Sequence, residues 1–188
     1  MAENSSSEAR DDNAKVIFAA SLNQLKHLAI VFRYTHSCAS YAILWHVALL
    51  HVANAVMQDT KDPQWRAYFM LCMNSYADLC GAFRVVEGIV TSLLSIALRL
   101  RITSASEARA LVARVHAKGG HDTDKQRITA SFVIDLNLAV TDRQGAQLES
   151  LYQSFDDLTL FQEFTEVEYE KLAVSQISES VWDSFGSL

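Results

Sequence analysis

An all-α fold, a bundle of about six to seven helices, is what this sequence predicts, and three observations predict it. Apolar residues recur at three- and four-residue spacing through residues 62–115. Two helix starts are marked inside that stretch, one at Asp62-Pro63 and one at Ser104-x-x-Glu107. One proline and six glycines among 188 residues leave little material for a many-stranded or loop-rich design.

The elements follow in chain order. The opening residues 1–14, MAENSSSEARDDNA, are polar and acidic, the reverse of a secretory signal, and are expected to be disordered. Residues 16–32 carry Ile17, Phe18, Leu22, Leu25, Leu28, Ala29 and Phe32 at helical spacing, with a break expected at 33–37. Ser37 or Ser40 then offers a start for a second helix reaching about Gln58. No Asp, Glu, Lys or Arg occurs between Arg33 and Asp59, and that length would permit a membrane span. His46, His51, Asn54 and the several alanines instead favour the centre of a bundle.

Asp62 suits a helix cap and Pro63 the first helical turn, where its missing N–H has no partner to lose. Trp65, Phe69, Cys72, Met73 and Tyr76 then share one side of a helix, with Trp65 expected to be a packed anchor. Residues 85–98 form a broader apolar face, followed by Arg99 and Arg101, whose charge suits a helix C-terminus. Gly88 inside this helix costs about 1 kcal/mol relative to alanine, which a close helix–helix approach would explain. Ser104 and Glu107 form a capping box for a helix running through Leu111 and Val115 to Gly119-Gly120. Residues 127–140 fit both a strand and a helix pattern. A lone strand would have no partner here, so a helix or an extended packing segment is expected. Asp142 can cap a further helix carrying Leu148, Leu151, Tyr152 and Phe155.

Composition narrows the function classes. Hydrophobic residues are 50% and charged residues 20%, enough for one domain with a sizeable core. The net charge of −6 gives no general attraction to nucleic acid. Cys38, Cys72 and Cys80 form no CxxC pair, which excludes a disulfide framework and a cysteine-rich zinc module and leaves reduced, partly buried thiols. His46 and His51 diverge by more than about 100° on a straight helix, a poor pair for one ion and a reasonable pair for core-edge positions. Gly119-Gly120 has no preceding strand and no GK[ST] after it, so it stops a helix and does not cradle phosphate. Arg99, Arg101, Arg109 and Arg114 are expected to be solvated and salt-bridged. No catalytic residue, cofactor site or metal site emerges.

The end of the chain has a different character. Between Glu166 and Leu188 five acidic residues face a single lysine, Lys171. This segment, 166–188, is expected to be an acidic, flexible tail in which Val181, Trp182 and Phe185 are candidate partner-binding anchors. An amphipathic helix closing the domain is the competing expectation.

With these residues in view, the chain resembles the C-terminal regulatory part, or middle homology region, of fungal-specific binuclear zinc-cluster transcription factors. It is nearest the nitrogen-assimilation type of regulator. The likeness runs from about Ala19 to Thr165 and rests on the order and spacing of several short stretches. These are Phe32-Arg33-Tyr34-Thr35, His46-x4-His51, and Trp65 and Tyr68-Phe69 with Cys72 and Tyr76. Then come residues 93–99 (LLSIALR), Ser106-Glu107-Ala108-Arg109, 130–139 (ASFVIDLNLA) and 155–165. The resemblance implies an all-helical regulatory domain, here partial, over residues 15–165, and regulation of transcription in the nucleus. It also implies protein contacts with co-regulators or with a full-length homologous factor. The family's six-cysteine cluster, basic linker, heptads and first half of the regulatory domain have no counterpart in these residues. Direct DNA binding is therefore not expected of the chain, and neither is enzymatic activity or membrane insertion.

The rival expectation is a free-standing helical ligand-binding or enzymatic protein outside that family. A pocket with convergent ionisable groups would favour the rival. An extended apolar surface along 16–32 would favour the regulatory reading.

Overall fold

The computed structural model describes residues 2–119 and 132–165, with side chains from residue 12 onward. Its helices are α1 (Ala2–Thr35), α2 (Trp45–Gln58), α3 (Trp65–Cys80), α4 (Val85–Arg99), α5 (Ala105–Gly119) and α6 (148–165). Short 3₁₀ turns occupy Ser37–Ser40 and Leu138–Val140. The fold is all-α, as the spacing of apolar residues predicts.

Helix α3 is the hub, packing against α1, α2, α4 and α5. Its inward side chains Phe69, Cys72, Met73 and Tyr76 are the ones grouped by their spacing, and all four are buried. Trp65 differs. It is half-buried, one turn from Phe69 with ring centroids 6.4 Å apart, because it opens its helix at the edge of the bundle. Helix α4 crosses the interior, and every residue from Gly88 to Leu98 is buried. Its two buried serine hydroxyls are nonetheless satisfied. Ser92 Oγ donates to the Leu148 carbonyl at 3.0 Å and Ser95 Oγ to the Leu151 carbonyl at 2.7 Å, which ties α4 to α6.

The helix starts depend on side chains near the positions expected. Asp62 Oδ1 accepts from the Gln64 N–H at 2.9 Å, capping a turn that leads into α3 at Trp65. Ser104 Oγ accepts from the Glu107 N–H at 3.2 Å, one half of a capping box. Glu107 does not complete the box. Its carboxylate accepts from Thr103 at 2.9 Å and from Arg66 at 2.6 Å instead.

Several expectations are corrected. The polar opening stretch expected to be disordered is helical backbone, since α1 begins at Ala2. No glycine or proline interrupts residues 2–35, so nothing local stops the helix from extending back from its packed half. Neither Ser37 nor Ser40 starts α2, which begins at Trp45 without a side-chain cap after the 3₁₀ turn. The helix is then 14 residues, about 21 Å, too short for a roughly 30 Å hydrocarbon core. Among the described residues no helix is long and apolar enough to cross a membrane. Asp142 caps a turn through the Gln144 and Gly145 N–H groups, and α6 begins only at residue 148.

Over its described part the ambiguous segment is extended at 132–135 and then leads into the 3₁₀ turn at Leu138–Val140. Val133 pairs with Gln147 in an isolated antiparallel bridge, and the Ile134 N–H donates to the Ala146 carbonyl at 2.9 Å. Residues 127–131 lie outside the described residues.

Candidate functional site

Helix α1 packs on the bundle by one stripe only. Lys26 and Ala29 are buried, and Leu25 and Phe32 are partly buried against the core. Two ion pairs fix this face. Lys26 Nζ donates to Asp62 at 2.8 Å and lies 4.8 Å from the Tyr68 ring centroid, while Arg33 bonds Asp78 at 2.7 Å and Ser75 Oγ at 2.7 Å. The hydrogen bond from Lys26 holds the Asp62 carboxyl below its ordinary range. For Asp78, burial alone would raise the pKa, but the Lys118 hydrogen bond and the Arg33 charge together bring it below the ordinary value.

The outer side of α1 has no such partners. Ile17 and Leu28 are each 58% exposed and Val31 is 36% exposed. At 100° per residue these three fall within about 60° of one another, a stripe turned away from the packed face. Val16, Ile30 and Tyr34 add further exposed apolar surface. Exposed apolar side chains thus lie towards both ends of 16–32, with the exposed Ser21 and Gln24 between Ile17 and Leu28 on the same side. A second exposed group, Leu160, Phe161 and Phe164, lies on α6.

A cavity of about 550 Å³ opens where α1, α2 and the segment after Ile134 meet. Leu22, Leu25, Ala55 and Leu136 supply apolar walls, and Phe18, His51, Gln58 and Asp59 line it as well. Asn54 also lines it, but its amide is fully engaged: it donates to the Leu50 and Ile134 carbonyls and accepts from the Leu136 N–H. Its titratable groups are one carboxylate, Asp59, and one imidazole, His51.

The remaining candidates fall into structural positions. His46 and His51 do not converge. His46 Nδ1 meets the Tyr76 hydroxyl at 3.2 Å and its ring packs edge-on to Phe132, whereas His51 is exposed on the cavity rim. Burial holds the His46 pKa below 6.5. Cys72 and Cys80 are buried, and burial pushes the Cys72 thiol up to about 12, far from a reactive thiolate. Arg99 bonds the Asp135 carboxylate and Arg109 bonds Glu163 at 3.2 Å, in keeping with the salt-bridging expected of that arginine group. No group of three or more metal-ligating side chains occurs among the described residues. The proposed anchors Val181, Trp182 and Phe185 lie outside the described residues.

Sequence reasoning missed two polar hubs. Asn54 is one, and Asp135 is the other. Asp135 is buried and caps the 3₁₀ turn through the Asn137 and Leu138 N–H groups while holding Arg99. The available signals were an asparagine on the apolar side of an uncharged helix and an Asp followed by a turn.

Comparison of the chain with protein-family models, with curated proteins and with solved structures finds no match.

Proposed function

We propose that this chain is a protein-interaction domain of transcription regulation, acting in the nucleus. The observation that carries the reading is the outer stripe of α1. Ile17, Leu28 and Val31 are large apolar side chains held in water on a helix whose other face is already packed. Leu28 and Val31, three residues apart, have the spacing that suits a groove on a co-regulator or on a full-length homologous factor. The resemblance to fungal zinc-cluster regulatory domains supports the same reading.

The test is a reporter assay. The chain is fused to a heterologous DNA-binding domain in yeast, alone and with Leu28→Glu and Val31→Glu together. The wild-type fusion is expected to change reporter output several-fold, and the double variant is expected to return it to the level of the DNA-binding domain alone. The variant should retain its helical circular dichroism. A wild-type fusion that leaves the reporter unmoved, or a double variant as active as wild type, overturns the reading.

A further inference from the structure

The cavity beside α1 has a chemistry of its own, separate from the outer stripe on which the interaction reading rests. From the geometry we infer that it is a binding site for a small organic cation with an apolar body. Its volume of about 550 Å³ falls within the roughly 300–1,000 Å³ typical of small-molecule sites. Leu22, Leu25, Ala55 and Leu136 give it apolar wall, and Ser21, His51, Gln58, Asp59 and Asn137 add polar side chains.

The direction of the helices sets the polarity of the site. Helices α1 and α2 run back from their connection at residues 36–44, where the Phe32 and Trp45 rings lie 4.7 Å apart. At 1.5 Å per residue, Asp59 is about 21 Å beyond Trp45 and Phe18 about 21 Å before Phe32. Both line the cavity, and their similar distance from the connection puts them at the same level of the α1–α2 pair, at its open end, where Phe18 is 65% exposed. An aromatic face beside a carboxylate is a pairing that selects a positive charge, through the ring quadrupole and the opposite charge together. Among the described residues no hydrogen bond or ion pair engages the Asp59 carboxylate or the Gln58 amide, whereas Asn54 is saturated and supplies only shape. The ligand's apolar body then lies along Leu22, Leu25, Ala55 and Leu136, and its cationic end meets Phe18 and Asp59.

Isothermal titration of the full chain with phenylbutylamine, phenylbutanol and phenylbutyrate tests this. The three probes share one apolar body and differ in the charge of the end group. The amine should bind saturably at one site, roughly five- to tenfold tighter than the alcohol, with the acid weakest. Asp59→Asn, at an exposed position outside the core, should bring the amine down to the affinity of the alcohol. Ala55→Trp, which fills the cavity wall, should abolish binding of both while the circular dichroism stays helical. Equal affinity of amine and alcohol for the wild-type chain, preference for the acid, or amine binding that survives Ala55→Trp would each overturn the assignment. So would the absence of saturable binding by any of the three.

Discussion

The Asn54 amide donates to the Ile134 carbonyl at 2.9 Å, joining two residues 80 positions apart in the sequence. The same side chain accepts from the Leu136 N–H at 3.1 Å, so one buried residue satisfies a carbonyl and an N–H of a segment that has no sheet to join. Replacing it with alanine leaves a buried acceptor and a donor without partners. Asn54→Ala is expected to cost about 2–4 kcal/mol in urea denaturation. Asn54→Leu, which restores bulk but no hydrogen bonds, should not rescue it. A cost below about 0.5 kcal/mol would show that water replaces the amide.

Trp65 and Phe69 are adjacent on α3 but differ in burial. Phe69 is 2% exposed, whereas Trp65 only packs against the rim of the core. Full burial would give Trp65→Ala the roughly 3–5 kcal/mol typical of large core truncations. The structure reduces that to about 1–2 kcal/mol, since part of the side chain stays in water. Phe69→Ala should carry the larger cost, about 3–5 kcal/mol. Equal losses for the two variants would place Trp65 in the core.

Helix α4 ends in a Schellman motif formed without glycine. The Arg101 N–H donates to the Leu98 carbonyl and the Ile102 N–H to the Ala97 carbonyl, each at 3.0 Å, with Arg101 at φ 57°. A left-handed conformation costs a non-glycine residue about 1–2 kcal/mol, part of which glycine returns as unfolded-state entropy. Arg101→Gly is therefore expected to stabilise the chain by about 0.5–1 kcal/mol, read as a higher denaturation midpoint. A lower midpoint would mean that the Arg101 side chain contributes more than its backbone costs.

The protonation of His46 should be visible in the pH dependence of stability. Burial holds its pKa below 6.5 in the folded chain, so the unfolded chain binds more protons just under that pH. Its contribution is therefore full above about 6.5 and is lost as pH falls below it. Asp62 and Asp78 have depressed values, and their contributions hold above 3.8 and disappear only as pH falls below that. Between about pH 7.5 and 5.5 the histidine acts and the carboxylates do not. His46→Phe should lose less melting temperature than wild type over that interval, whatever its absolute stability. An equal loss would show that His46 titrates alike in both states.

The amino-acid sequence by itself determined the helices that bury a stripe. The spacing of Phe69, Cys72, Met73 and Tyr76 and the unbroken apolar run of α4 leave one solution, because each face must leave water and each backbone must satisfy itself locally. Capping by Ser104 was legible for the same reason, as its bond joins residues three positions apart, whereas Asp62 caps only the turn before α3, which starts at Trp65 and leaves Pro63 outside the helix. What only the tertiary structure decided depends on residues far apart in the chain. Whether Glu107 closes its own box or pairs with Arg66, and whether residues 132–140 extend or coil, depends on what lies opposite. The candidate site belongs to this second class. Phe18 and Asp59 have no local relation, and they share a cavity only because α1 folds back along α2.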